Sequence, residues 1–176
     1  MQHPAFTSAP AAPPLLGVVQ LHVEEAALLR HQRSRLVRAP HIRLHLLARH
    51  DERMVAHLDG IAVAGQAGRE LAYHGASGGG AGELFTAAVV ALTEGDRATL
   101  GCLLEKAGDD PQVMPGLTSA FGWASAQDLR GIAGDLLQSR TPQAQLLGLA
   151  ACAMHGVDPG QPVRGALGSA DAALAG

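Results

Sequence analysis

The sequence predicts an all-α protein, a short α-solenoid of stacked antiparallel helix pairs, on three observations. The first is composition: 33 of the 176 residues are Ala and 25 are Leu, whereas Val, Ile and Thr, which suit a pleated sheet, total only 20. The second is a recurring helix start. Asp110-Pro111 and Thr141-Pro142 each place a capping oxygen just before a proline. The oxygen accepts an orphan amide of the first turn, and proline has no amide to orphan. These starts lie 31 residues apart; 29 back from Pro111 is Gly82, and 29 forward from Pro142 is Asp171. The third is the apolar striping between them. Leu100, Leu103, Leu104 and Ala107 share one helical face, as do Leu129, Ile132, Ala133, Leu136 and Leu137. A helix–turn–helix unit returning every ~30 residues is the sequence signature of a solenoid.

Residues 1–14 hold four of the ten prolines and read as a flexible or extended leader. A helical cap region follows over 15–81. From Leu15 to Arg38, Leu15, Val19, Val23, Ala26 and Leu29 fall near one face, and Ala39-Pro40 stops the helix because a residue before proline is pushed out of helical geometry. The pattern then predicts a short helix over 42–49 and a second from Asp51, with Met54, Leu58 and Ile61 on one face and Gly60 and Gly65 weakening its end. Residues 67–74 add another helical stretch, and Ser77 to Gly82 reads as a loop.

The repeats occupy 82–176 and end at a partial unit. Second helix starts fall at Asp96, at Ser125 and at the Asp158-Pro159-Gly160 turn, and Ser125 with Asp128 three residues on resembles a capping box. The predicted pairs are 84–94 with 97–107, 112–123 with 126–138, and 143–155 with 162–168, and Asp171 would open a further unit. The first helix of a pair is the more uniformly apolar, as in Leu84–Leu92 and Leu146–Met154, which suits a helix sandwiched between neighbours.

A formal net charge of -3 and five aromatic residues give no basic face and no stacking platform for direct nucleic-acid binding. The run Leu84–Leu92 is too short to span a bilayer, and residues 1–14 lack the pattern of a signal peptide. Cys102 and Cys152, fifty positions apart in apolar surroundings, read as free thiols of a cytoplasmic protein. No cofactor motif is present.

Candidate chemistry is sparse. Among nine histidines, His41 and His45 stand at i, i+4, with His50 and His57 following. Zinc asks for a third or fourth ligand, so partly exposed polar positions are the favoured reading and a metal-dependent hydrolase a distant one. Glu24-Glu25 and Asp51-Glu52 are neighbours that diverge around a helix and form no converging pair. Ser77-Gly-Gly-Gly lacks the Lys-Ser/Thr ending of a phosphate loop, and neither cysteine has a visible base. Trp123 reads as a core anchor in preference to an exposed contact.

Charge distribution says more than any motif. Residues 1–57 hold seven Arg and four acids, and residues 58–176 hold six Lys+Arg and twelve acids. Glu94, Asp96, Asp109, Asp110, Asp128 and Asp158 cluster at inter-helix turns. Helix capping explains several of them. A surface of Glu94, Asp96, Asp109, Asp110 and Asp128, with Trp123 nearby, would also steer a basic protein partner.

Three segments carry a family resemblance. RAPHIRLHLLARHDERMVAHLDGIAVAG (Arg38–Gly65) resembles the N-terminal signature of a proteobacterial family of HEAT-like repeat proteins encoded near type VI secretion loci. GELFTAAVVALTEGD (Gly82–Asp96) and LLGLAACAMHGVDPG (Leu146–Gly160) are similar to its repeats, so the resemblance spans roughly residues 15 to 170. It implies a HEAT-like solenoid without catalytic residues. It also implies an immunity protein that neutralises a cognate type VI toxin, nucleases being one class of such toxins. The alternative it leaves open is a scaffold or adaptor for effector loading or assembly.

Overall fold

The computed structural model describes residues 13–108 and 110–161. Among them are eight α-helices, one short 3-10 turn and no strand. Helix α1 (Leu16–Leu36) buries Val19, Val23, Ala26, Ala27 and Leu29, the stripe the sequence outlines, but Leu15 precedes the helix and is exposed. Its last turn ends four residues before Pro40.

Helix α2 (Leu44–Val63) is one uninterrupted element, where the sequence pattern suggested a break before Asp51. Asp51 does not cap a helix there; its carboxylate accepts from Arg33 Nε at 2.8 Å. Gly60 does not stop the helix either. A side chain at Gly60 would run into the His22 ring, with atoms at 2.8 Å, so the glycine makes room for a neighbour within a continuing helix. Helix α3 (Gln66–Gly75) leads through a 3-10 turn (Ala76–Gly78) into α4 (Ala81–Glu94), so the loop expected over 77–82 shrinks to a few residues.

Helix α4 is the centre of the molecule. It buries Leu84, Phe85, Thr86, Ala87, Ala88, Ala91 and Leu92 around its circumference and packs against α1, α3, α5 (Arg97–Ala107) and α6 (Met114–Trp123). The buried Thr86 hydroxyl donates to the Gly82 carbonyl at 3.1 Å, so its polarity is satisfied inside the helix. A smaller apolar cluster of Val23, Ala26, Ile61 and Ala72 ties α1, α2 and α3 together.

Two expected starts are modified. Asp110 does organise the chain at Pro111, because its side chain accepts from the Gln112 amide at 2.8 Å. What it opens is a turn over 111–113, and α6 begins at Met114. At Ser125 the reciprocal bonds of a capping box form: Asp128 accepts from the Ser125 amide at 3.0 Å, and Ser125 Oγ accepts from the Asp128 amide at 3.2 Å. The helix fails after one turn because Gly131 takes φ 79°, left-handed geometry that ends an α-helix and favours glycine. Helix α7 is therefore only Ile132–Leu137, shorter than the predicted 126–138.

Helix α8 (Pro142–Met154) starts where the proline signal placed it. Of the expected pairs, α4 with α5 is present. Helix α7 packs chiefly against α8, so the expected pairing of 112–123 with 126–138 is replaced by a different one. Helices α4, α6 and α8, the first members of the three predicted units, do contact one another in succession. Residues 1–12, Asp109, the predicted helix 162–168 and Asp171 lie outside the described residues.

Main chains approach closely on both sides of α4. A Cβ at Gly82 would strike the Ala27 carbonyl of α1, and one at Gly116 of α6 would strike the Ala81 carbonyl of α4. Because backbone cannot swing aside as a side chain does, Gly82→Ala and Gly116→Ala should each lower stability by about 1–3 kcal/mol in urea unfolding. Gly101→Ala, on α5 with nothing within 4 Å, should instead stabilise by about 0.5–1 kcal/mol through helix propensity.

Candidate functional site: two grooves beside the α4–α5 turn

Glu94 ends α4, and Asp96 caps α5. Glu94 accepts from Arg69 of α3 at 2.6 Å. Asp96 accepts from the Thr99 amide at 3.0 Å, from the Thr99 hydroxyl at 2.7 Å and from the Tyr73 hydroxyl at 3.2 Å. The two bonds from Thr99, amide first, hold the Asp96 carboxyl below its ordinary range. Burial, and then the Asp96 charge, push the Tyr73 phenol up to about 12.

Grooves open on either side of this turn. On one side, Trp123 and Glu94 line a cleft of ≈ 220 Å³ with Val55, Leu58, Asp59 and Val89, between α2, α4 and the end of α6. Trp123 is half-buried and meets Phe85 edge-on, with ring centroids 5.9 Å apart at 85°, while the Arg33 guanidinium stands 5.9 Å from the indole centroid. The ring is therefore packed against the core and also forms groove wall. On the other side, Glu94 and Asp128 share a shallow groove with Arg97 and Arg130.

The structure thus brings Glu94, Asp96 and Asp128 to one edge and Trp123 to the adjoining cleft. Asp110 stands beyond the opposite end of α5, a helix of 11 residues that spans about 16 Å. Asp109 is outside the described residues. Arginines interleave with the carboxylates: Arg69 on Glu94, and Arg97 on Asp135. The edge accordingly has much less net negative charge than its acidic residues alone suggest. Each of these ion pairs joins residues far apart in sequence, which hid them from a reading of local spacing.

The histidines separate. His41 and His45 are both exposed, at the entrance to α2 and in its first turn, and His50 is buried with Nε2 2.9 Å from the Leu29 carbonyl. His57 faces His22 of α1, a partner that sequence reading did not single out, with Nδ1 atoms 3.0 Å apart. Among the described residues no group of three or more His, Cys, Asp or Glu is arranged to hold a metal. Cys152 is buried, with its thiol pushed up by that burial, while Cys102 faces solvent and not the leucine stripe beside it. No helix of the described residues is long and apolar enough to cross a membrane.

Arg30 is the functional-looking side chain that sequence reading missed. It is 8% exposed, donates to Ser34 Oγ, to the Pro115 carbonyl at 2.9 Å and to Ser119 Oγ, and places its guanidinium 5.8 Å from the Phe85 centroid. Burial first, and Arg33 second, favour its neutral form. A signal did exist: Arg30 lies at i+4 from Ala26 and i+7 from Val23, on the apolar stripe itself. Its neutral oxygen partners and their position across the α1–α6 contact mark it as a staple between helices.

Comparison of the chain with protein-family models, with curated proteins and with solved structures finds no match. From the staple it follows that Arg30→Ala should cost about 2–4 kcal/mol in urea unfolding, since the guanidinium's bonds across the α1–α6 contact and its packing on Phe85 are lost together. Arg30→Lys should restore little, because a single ammonium cannot reproduce the planar fork that reaches α1 and α6 together.

Proposed function

We propose that this chain is a non-catalytic, HEAT-like helical-repeat protein that works by binding another protein, and specifically a cytoplasmic immunity protein that neutralises a cognate type VI secretion toxin. The observation that carries the binding reading is the cleft in which half-buried Trp123 forms the wall and Glu94 and Asp59 stand at its lining. An aromatic held rigid by Phe85 and Arg33 offers a partner a large apolar contact at low entropic cost. Support for the repeat architecture comes from the successive contacts of α4, α6 and α8 and from the recurring helix starts. Support for the immunity role comes from the resemblance of Arg38–Gly65, Gly82–Asp96 and Leu146–Gly160 to the family described above.

In this reading the carboxylates do less than their number suggests. Glu94 is paired with Arg69, and Asp96 and Asp128 are occupied with caps. They would speed encounter with a basic toxin, while apolar contact at Trp123 would set the lifetime of the complex.

The test is co-expression with a toxin domain encoded beside this chain, followed by binding kinetics on the purified pair. Protection of the host cell and a stable complex are expected. Failure to protect, combined with binding to a spike or chaperone protein from the same locus, would replace immunity with the adaptor reading. Within the complex, Trp123→Phe, which keeps an aromatic ring against Phe85, should raise the dissociation rate about tenfold. The triple change Glu94→Gln, Asp96→Asn and Asp128→Asn retains a capping side chain at the two aspartates. It should slow association at low salt by less than about tenfold, with the difference vanishing at high salt.

A further inference from the structure

The seam between α1 and α2 is rich in ionisable groups. His22 of α1 and His57 of α2 face one another, Nδ1 to Nδ1 at 3.0 Å, with ring centroids 5.1 Å apart at 61°. Further along, His50 meets the Leu29 carbonyl at 2.9 Å, and Arg33 holds Asp51 at 2.8 Å. The apolar contribution of α2 is confined to a few side chains. Met54 and Ile61 are its buried apolar side chains and half-buried Leu58 packs beside them, whereas Leu44 and Val63 at its ends are 84% and 89% exposed. Gly60 lets the His22 ring lie directly on the α2 backbone, which seats the imidazole pair at the seam.

A bond between two imidazole Nδ1 atoms requires one ring to donate and the other to accept. A first added proton enters at Nε2 of the donating ring and leaves the bond intact. A second can go only to the accepting Nδ1, and then two N–H groups and two cations would face each other across the seam. The closed seam therefore holds one of these added protons, and the open seam holds both. Of the charged groups facing His57, Glu25 on α1 favours protonation, and Arg53 on α2 opposes it. The α3 and α4 side chains of the adjoining Val23–Ile61 cluster, Leu71, Ala72, Tyr73 and Val90, carry no charge near neutrality.

We propose that the His22–His57 pair is an acid-sensitive latch whose full protonation releases α2 from α1 while the helices around α4 stay packed. Release bares the Val23 and Ala26 surface that Ile61 covers and withdraws Met54 from its place beside Leu29, while α4, α5 and α6 keep their own contacts. Burial, and then His22, hold the His57 imidazole below its ordinary value of 6.5. For a histidine shifted downward, the sign is fixed. The seam is fully closed above 6.5, weakens as pH falls from 6.5 to the depressed value, and loses no more below it. In that window opening takes up at most one proton, so the opening constant rises by no more than about tenfold per pH unit.

Native-state hydrogen exchange on the full chain between pH 7.5 and 5, corrected for the intrinsic rate, tests the latch. Amides of α2 should lose protection relative to those of α4 as pH falls below 6.5, and the loss should level off once the depressed value is passed. His57→Gln should flatten that slope, and His41→Ala, at an exposed position, should leave it unchanged. Proton NMR of the unaltered chain gives a readout that needs no variant: the His57 ring should titrate below 6.5. The proposal fails if α2 and α4 lose protection in parallel, if the slope survives His57→Gln, if His50→Gln removes it instead, or if the His57 ring titrates at its ordinary value.

Discussion

The approach of main chain to main chain on both sides of α4 is the constraint on which the rest depends. At Gly82 the helix meets the Ala27 carbonyl of α1, and at Ala81 its own carbonyl meets Gly116 of α6. Three helices are thereby drawn together at one end of α4. At that spacing Arg30 can cross Phe85 and reach oxygens on α6, and there a guanidinium is buried without a carboxylate. A buried cation satisfied by neutral oxygens depends on close geometry for its stability, because it has no counter-charge to offset its desolvation. The glycines and the arginine are thus two parts of one arrangement.

What local chemistry dictates was legible in the sequence. Thr141-Pro142 starts a helix, Asp96 caps one, and the all-round apolar run from Leu84 to Leu92 marks the helix enclosed by the others. Where two local signals compete, the reading failed. The Ser125–Asp128 box asks for a helix, Gly131 ends it within a turn, and which prevails is decided by how Ile132 and Leu129 find the core. The split assigned before Asp51 failed for another reason. A carboxylate that looks like a cap was claimed by Arg33 on a different helix. Tertiary pairing overrode a local preference.

The candidate site divides in the same way. Glu94, Asp96 and Asp128 are drawn to one edge because the turns that carry them share an end of the helices, and Asp110 is excluded because its turn lies at the other. Sequence order could not reveal the arginines set among them, nor the meeting of His22 with His57 across 35 positions. Charge counted along a chain describes supply; the field a partner meets depends on which carboxylates have already been taken.

Where α4 meets α1 and α6, the contact at Gly82 and Gly116 is main chain against main chain, with Ala27 and Ala81 supplying the facing carbonyls. Alanine has no side-chain rotamers, so it surrenders no side-chain entropy on folding and also has none with which to absorb a disturbance. Elsewhere around α4, Leu84, Leu92, Leu117 and Phe121 can answer a displacement by changing rotamer, but this contact has only rigid helix surfaces. A shift imposed on α1 would therefore pass to α4 and α6 as movement of whole helices, which makes the centre of the molecule behave mechanically more like a linkage than a cushion.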